Sequence, residues 1–249
     1  MLEKLFGAKR GADDRLAAAP AGLRLYAVGD IHGCAGQLDA LLKLIEEEPA
    51  AAVEKRLIFL GDYVDRGPDS RSVIDRLVAL AETQPQTVFL KGNHEAAMLD
   101  FLDAPDAEAA WLGWGGAETL QSYGVSQIFS REPHLVAEEF ADRLPAPHRR
   151  FLDGLDLYRT FGDYVFVHAG LRPGVALEAQ EERDLLWIRG EFHNAPPEAR
   201  PDKFVVHGHH PVRRPLDAGW RIDADTGACY GGKLTAAVLE GTERRFLSA

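Results

Sequence analysis

The stretch Leu57-Ile-Phe-Leu-Gly-Asp-Tyr-Val-Asp-Arg-Gly67 decides how this chain folds, because a short apolar run in it stops at a glycine followed by a carboxylate. A short apolar run that ends at a turn signal predicts a buried strand. The same pattern stands on either side of it. Residues 23–28 stop at Gly29-Asp30, and residues 87–90 stop shortly before Gly92-Asn93.

Amphipathic helices are predicted between these strands. Leu38, Leu41 and Ile45 follow the helical spacing in the first connection, and a second helix begins near Asp69 with Val73 on its apolar face. Strands that alternate with helices indicate a parallel sheet covered by helices.

The second half of the chain has a different pattern. Residues 95–158 have a predominantly helical pattern. Positions 96–158 contain 11 acidic and 4 basic side chains. Apolar runs then return, and the closely spaced ones near the C-terminus predict hairpins, so the sheet, or a second sheet beside it, is expected to be mixed. These runs are residues 164–167, 204–206, 220–222, 234–239 and 244–247.

Composition narrows the class of protein. The chain has 249 residues with 46 % hydrophobic and 27 % charged side chains, which are globular values. We predict a mobile tail over residues 1–22 and one domain over residues 23–249.

A net charge of −11 disfavours nucleic acid and anionic membranes as partners. The sequence has no secretory or membrane-spanning apolar segment, which predicts a cytoplasmic protein.

Polar side chains gather where the predicted strands end. Ligand sites of open α/β sheets lie beyond the carboxyl ends of the strands, so these side chains can converge. The set offers oxygen and nitrogen donors without a thiolate, which suits Mn²⁺, and also Fe or Zn²⁺, and two metals sharing Asp62 would match a centre for phosphoryl chemistry. The side chains are Asp30, His32, Asp62, Asn93, His94, His168 and His209.

Five motifs carry a resemblance to a known family. They are Gly29-Asp-Ile-His-Gly33, Gly61-Asp-Tyr-Val-Asp-Arg-Gly67, Gly92-Asn-His-Glu95, His168-Ala-Gly170 and Gly208-His209. Their order and spacing resemble the calcineurin-like metallophosphoesterases, and the Val-Asp-Arg-Gly form resembles the phosphoprotein phosphatase branch with its bacterial and phage serine/threonine phosphatases. The resemblance implies an α/β fold, a four-layer αββα sandwich with two mixed β-sheets.

The resemblance also implies roles for individual residues. One divalent metal ion would be held by Asp30, His32 and Asp62, and a second by Asp62, Asn93, His168 and His209. Arg66 and Arg189 would bind the substrate phosphate, with Tyr230 at the rim of the site. His94, paired with Asp65, would protonate the leaving group, while a hydroxide between the two metals attacks phosphorus.

Two assignments stay open at this point. Spacing alone does not decide which histidine of the run His207-Gly-His-His210 binds metal. Only the match to a Gly-His-x-Pro pattern selects His209 over His207. Trp111, Trp114 and Tyr123 are expected to pack in the core, with a substrate platform as the alternative.

Three functions compete. The leading expectation is a metal-dependent phosphatase acting on phosphoserine or phosphothreonine in a phosphoprotein or phosphopeptide. The alternative is a dinucleoside polyphosphate hydrolase, acting for example on diadenosine tetraphosphate. By resemblance, the symmetrical hydrolases of that class commonly lack the aspartate that Asp65 supplies here. A non-catalytic phosphate-binding scaffold is disfavoured, because every proposed ligand and both arginines are present.

Overall fold

The computed structural model of the protein describes residues 16–49 and 53–249. Most of the predicted mobile tail, residues 1–15, lies outside the described residues. Residues 17–19, which the sequence placed in that tail, contact the domain. Ala19 is buried and its N–H donates to the carbonyl of Gly241 at 2.7 Å, while the N–H of Ala18 donates to the Asp163 carboxylate. Small alanines lack hydrophobic periodicity, so the sequence showed no sign of these backbone hydrogen bonds.

The first sheet has the order β10-β9-β1-β2-β3. Strands β1, β2 and β3 are parallel, and β9 and β10 form an antiparallel hairpin on the β1 edge. The strands are β1 (Leu23–Val28), β2 (Glu54–Phe59), β3 (Val88–Phe89), β9 (Thr235–Glu240) and β10 (Glu243–Ser248).

Strand β2 begins earlier than the apolar run predicts. The predicted strand starts at residue 57, whereas pairing with β1 already joins Glu54 to Leu23. The charged residues at the start of β2 are exposed or half-buried at the end of the sheet, so their polarity hid the strand from a hydrophobic pattern.

The second sheet has the order β4-β5-β6-β8-β7. Strands β5, β6 and β8 are parallel, and an antiparallel strand covers each edge, so this sheet is mixed as well. The strands are β4 (Tyr158–Phe161), β5 (Tyr164–Val167), β6 (Phe204–His207), β7 (Leu216–Asp217) and β8 (Arg221–Asp223).

The two sheets pack face to face, and helices cover their outer faces. Side chains alternate across a strand, so Leu25 and Ala27 of β1 contact the core shared with the second sheet, whereas Tyr26 and Val28 contact the helical layer. On the other side, Val165 and its neighbours pack against the short helices α7 and α8. The helices are α1 (Ala35–Glu47), α2 (Ser70–Thr83), α3 (Asn93–Asp103), α4 (Gly116–Ser122), α5 (Pro133–Arg143), α6 (Ala146–Asp153), α7 (Glu182–Trp187) and α8 (Gly190–His193).

This arrangement confirms the predicted α/β fold with two mixed sheets between helical layers. The predicted helical segment between residues 95 and 158 forms α3 to α6 and packs on the outside of the first sheet. Within the described ranges, none of the helices combines the length and apolarity needed to cross a bilayer.

Candidate metal centre

The carboxyl ends of β1, β2, β3, β5 and β6 meet at one edge of the sandwich and bring the predicted polar side chains together. Each of these side chains is at most 5 % exposed. They are Asp30, His32, Asp62, Asn93, His94, His168 and His209. Burying this many titratable groups together is costly unless hydrogen bonds or cations compensate for their charges.

Asp62 lies between two histidines. Its Oδ2 is 3.4 Å from Nε2 of His32, and its Oδ1 is 3.4 Å from Nε2 of His168. Burial raises the pKa of the Asp62 carboxyl. The positive charges that His168, His94 and the other nearby imidazoles gain as the pH falls outweigh burial and hold this pKa well below its usual value. An ionised carboxylate with one oxygen toward each histidine has the geometry of a ligand shared by two cations.

His32 and His168 are oriented by backbone carbonyls. Nδ1 of His32 donates to the carbonyl of Val64 at 2.7 Å, and Nδ1 of His168 donates to that of Leu60 at 2.9 Å. A carbonyl only accepts, so Nδ1 carries the proton and the lone pair of each neutral ring lies on Nε2. Backbone acceptors that fix the tautomer in this way are typical of metal-binding histidines. Burial lowers the pKa of both rings, that of His32 to about 3, which keeps them neutral.

An oxygen and a ring nitrogen of two other side chains converge in front of His168. Its Nε2 is 2.9 Å from Oδ1 of Asn93 and 3.2 Å from Nδ1 of His209. Ligand atoms of Asp62, His168 and His209 all lie within 4.8 Å of one another, and so do those of His32, Asp62 and His94. These oxygen and nitrogen donors, with their orienting partners, fit divalent cations.

Asp30 contacts the backbone that carries His209. Both oxygens of its carboxylate accept from the backbone N–H of His209 at 3.1 Å, and Asp30 belongs to neither compact group of ligand atoms. Burial, followed by the charges of Asp225 and Asp62, raises the pKa of Asp30 well above its usual value. The structure brings His32 and Asp62 together, and the role of Asp30 as a ligand remains a proposal.

The backbone is strained at this centre. Six non-glycine residues in the described ranges have a positive φ, and five of them belong to the site: His32, Asp62, Asp65, Arg66 and His209. The left-handed region costs such residues about 1–3 kcal/mol each, and strain of this kind concentrates at functional sites. The only other one is Gln127, at the start of a surface 3₁₀ turn.

Glu95, part of the Gly92-Asn-His-Glu95 motif, holds the Asp62 loop in place. Its carboxylate accepts four backbone N–H groups, those of Asp62, Tyr63, Val64 and Gly92, at 2.7–3.2 Å. Burial, with the nearby Asp62 charge, raises the pKa of Glu95 to about 7. Glu95 stands three residues after the N-cap Gly92, the capping-box position for a glutamate, which could have revealed its bond to the Gly92 N–H but not those to the Asp62 loop.

Asp65 and His94 form a buried pair. Nδ1 of His94 is 2.6 Å from Oδ2 of Asp65, and the same carboxylate accepts from Nε1 of Trp111 and from the hydroxyl of Thr119, each at 2.7 Å. Burial lowers the pKa of His94, but the carboxylates of Asp62 and Asp65 raise it more, so the net shift is upward. Trp111 and Thr119 lie 46 and 54 positions after Asp65, and no sequence pattern linked them to it.

The guanidinium groups of the two predicted phosphate-binding arginines contact imidazole nitrogens of the site. Nη1 of Arg66 is 2.5 Å from Nε2 of His32, and Nη2 of Arg66 is 2.8 Å from Nε2 of His94. Nε of Arg189 donates to Nε2 of His209 at 3.0 Å. The guanidinium of Arg66 also lies over the ring of Tyr230, 5.6 Å from its centroid, and Tyr230 is 64 % exposed. The arginines and Tyr230 therefore line the approach to the cluster.

His207 belongs to a separate group. Its Nδ1 donates to the carbonyl of Gly208 at 2.9 Å, and its Nε2 accepts from Arg221 at 3.0 Å. The possible ligand atoms grouped with it within 4.8 Å belong to His193 and Asp223, not to the groups around Asp62. This placement favours His209 as the histidine of the candidate metal centre.

The fold and the site define a class of protein. Residues 23–239 match the calcineurin-like phosphoesterase family, and the chain belongs to that family. This confirms the resemblance drawn from the motifs.

Two relatives of known name are similar to this chain over most of its length. The chain is 28 % identical over 231 residues to the asymmetrical bis(5'-nucleosyl)-tetraphosphatase PrpE of Anoxybacillus flavithermus, covering 84 % of this chain and 87 % of that protein. It is 26 % identical over 227 residues to the protein of the same name from Bacillus subtilis, covering 84 % and 87 %.

Solved structures share the fold. A crystal structure of a candidate diadenosine tetraphosphatase superposes with a TM-score of 0.65 at 23 % identity, covering 94 % of this chain and 98 % of the other. A protein serine/threonine phosphatase from Saccharomyces cerevisiae superposes with a TM-score of 0.58 at 15 % identity, covering 92 % and 80 %.

Proposed function

We propose that this protein is a metal-dependent hydrolase of dinucleoside tetraphosphates that cleaves them asymmetrically, into a nucleoside triphosphate and a nucleoside monophosphate. The observation that carries the proposal is the similarity over 84 % of the chain to relatives named as asymmetrical bis(5'-nucleosyl)-tetraphosphatases. This reverses the order of the sequence-based expectations, which put protein phosphatase first.

The ligand assignment in this proposal follows the resemblance and the convergence of side-chain oxygen and nitrogen atoms. Bound divalent cations would neutralise phosphate charge and lower the pKa of attacking water. Mn²⁺ is the proposed metal, with Fe or Zn²⁺ as alternatives. The proposed ligands are Asp30, His32, Asp62, Asn93, His168 and His209.

Arg66 and Arg189 bind the phosphate in this proposal. A guanidinium donates two parallel N–H groups to phosphate oxygens and stabilises the charge that develops in the transition state. Arg66 contacts both His32 and His94, so its turn toward a substrate phosphate frees Nε2 of His94. Water adds to phosphorus and releases a proton to solvent, and the P–O bond to the leaving group breaks with its electron pair on oxygen. His94, oriented by Asp65, donates a proton from Nε2 to that oxygen.

A phosphomonoesterase acting on phosphoserine or phosphothreonine is the second candidate. The Asp65–His94 hydrogen bond favours it, because an alkoxide leaves poorly without a proton, whereas the phosphate leaving group of an anhydride depends less on one.

One comparison of substrates tests both candidates. The Mn²⁺-loaded full chain is assayed with diadenosine tetraphosphate and with a phosphoserine peptide panel, and products are separated by chromatography. We expect a higher kcat/KM for the dinucleotide and the products ATP and AMP. A higher kcat/KM for the peptides would support the second candidate instead, and two molecules of ADP would contradict asymmetrical cleavage. Asp62→Asn, expected to be inactive, is the control for contaminating phosphatase.

A further inference from the structure

Two exposed tryptophans stand beside the candidate metal centre. Trp114 is 45 % and Trp187 is 40 % exposed, and their rings meet edge to face with centroids 5.8 Å apart. A tryptophan that packs inside a protein buries roughly 150–250 Å². Two adjacent tryptophans that are each 40–45 % exposed forgo part of that stabilisation, which a flat ligand stacked on them would add.

The position of Trp114 is set by the loop that carries Asp65 and Arg66. Trp114 ends the 3₁₀ helix Ala109–Trp114, in which residues three apart lie on the same side. Trp111, one turn earlier, is tied to Asp65 through its Nε1–H. The next residue, Gly115, accepts the N–H of Arg66 at 3.2 Å, and a Cβ at this position would lie 2.5 Å from that nitrogen. Trp114 is therefore held next to Arg66.

Trp187 is held next to the other arginine. It is the last residue of α7, and its ring centroid lies 6.3 Å from that of His209. Two residues later, Arg189 donates to the same histidine. A cavity of about 440 Å³ beside Trp187 is lined by three arginines, Arg189 among them, and by three carboxylates. The aromatic pair thus joins the segment next to Arg66 to the segment that carries Arg189.

We propose that Trp114 and Trp187 form a stacking platform for a nucleobase of the substrate. The inference deepens the proposed function and rests on it. Bases stack on aromatic side chains largely without regard to their identity. A nucleotide links a flat base covalently to phosphate, so phosphate on Arg189 brings the base to Trp187, whereas phosphoserine carries no flat group. Positive arginines beside an aromatic pair complement the two parts of a nucleotide.

The test separates binding of the base from binding of the phosphate. Calorimetry in Mn²⁺ compares adenosine 5'-(α,β-methylene)diphosphate with methylenediphosphonate, which has the same P–C–P group and no nucleoside. For Trp187→Ala and Trp114→Ala we expect the adenosine probe to bind roughly 5- to 150-fold more weakly. We expect methylenediphosphonate binding to be unchanged. Trp187→Phe, which keeps an aromatic face, should retain most of the affinity and shows that the site tolerates substitution.

Phe129→Ala is the matched control, because Phe129 is 74 % exposed on a surface 3₁₀ turn that contributes nothing to the centre. Equal losses for both probes, or no loss for either, would overturn the platform. A loss seen with a phosphoserine peptide and not with the adenosine probe would also overturn it. Because binding is measured apart from turnover, a wild-type protein that fails to cleave diadenosine tetraphosphate contradicts the proposed function, not this measurement.

Discussion

Nδ1 of His94 lies 2.6 Å from Oδ2 of Asp65 in a pair that is nearly closed to solvent, with side chains 2 % and 0 % exposed. Asn93, which precedes His94, and Asp62 both direct a side-chain oxygen toward Nε2 of His168. The pair is therefore placed to handle a proton, beside the side chains proposed to hold metal.

His94→Asn should slow hydrolysis of a phosphoserine peptide by about 10²- to 10⁴-fold, because an alkoxide needs the proton that His94 supplies. The loss on 4-nitrophenyl phosphate should be clearly smaller, since 4-nitrophenolate leaves without a proton, and metal content should not change. Asp65→Asn should act in the same direction more mildly, and the double variant should be no worse than His94→Asn. Equal slowing of both substrates would argue against the acid role.

Thr119→Val should lower the free energy of unfolding by about 1.5–3 kcal/mol, because it removes a hydroxyl that donates to a buried carboxylate. Urea unfolding measures the change. Thr119→Ser keeps the hydroxyl and loses only a methyl group, so it should be much closer to the wild type. Equal destabilisation by both substitutions would show that packing, not the hydrogen bond to Asp65, is the main contribution.

Asp62→Asn should reduce both bound metal and activity, because Asp62 has one carboxylate oxygen toward His32 and the other toward His168. His207→Gln should reduce neither, because His207 belongs to the group around Asp223. Metal analysis after dialysis against Mn²⁺ measures both variants. Retention of two ions by Asp62→Asn would overturn its shared position.

Gly208→Ala should disrupt the Asp30 side of the centre, because a Cβ at position 208 would lie 2.1 Å from Oδ1 of Asp30. We expect a drop in bound metal or in the yield of folded protein. Metal analysis measures the first and circular dichroism the second. Gly36→Ala is the control, since a Cβ there has no neighbouring atom within 4 Å and α1 favours alanine over glycine. Normal metal content in a folded Gly208→Ala protein would contradict the close packing of Gly208 on Asp30.

The sequence by itself determined the fold class and most of the candidate site. Apolar runs that stop at Gly-Asp or Gly-Asn predict strands whose ends meet, because strand direction and side-chain alternation are local properties of the backbone. The motifs selected His209 over His207, and the structure places these histidines in separate groups. Polar strand segments such as residues 54–56, and the docked residues 17–19, lacked any such hydrophobic signal.

Only the tertiary structure decided which distant side chains complete the site. Trp111 and Thr119 reach Asp65 from 46 and 54 residues away, and Trp114 meets Trp187 across a separation of 73 positions. Contacts of this kind depend on how a helical segment packs on the outer face of the sheet, which no local periodicity specifies. The exposure of Trp114, expected in the core, has the same cause: Trp114 lies one turn after the buried Trp111, where its 3₁₀ helix ends at the surface.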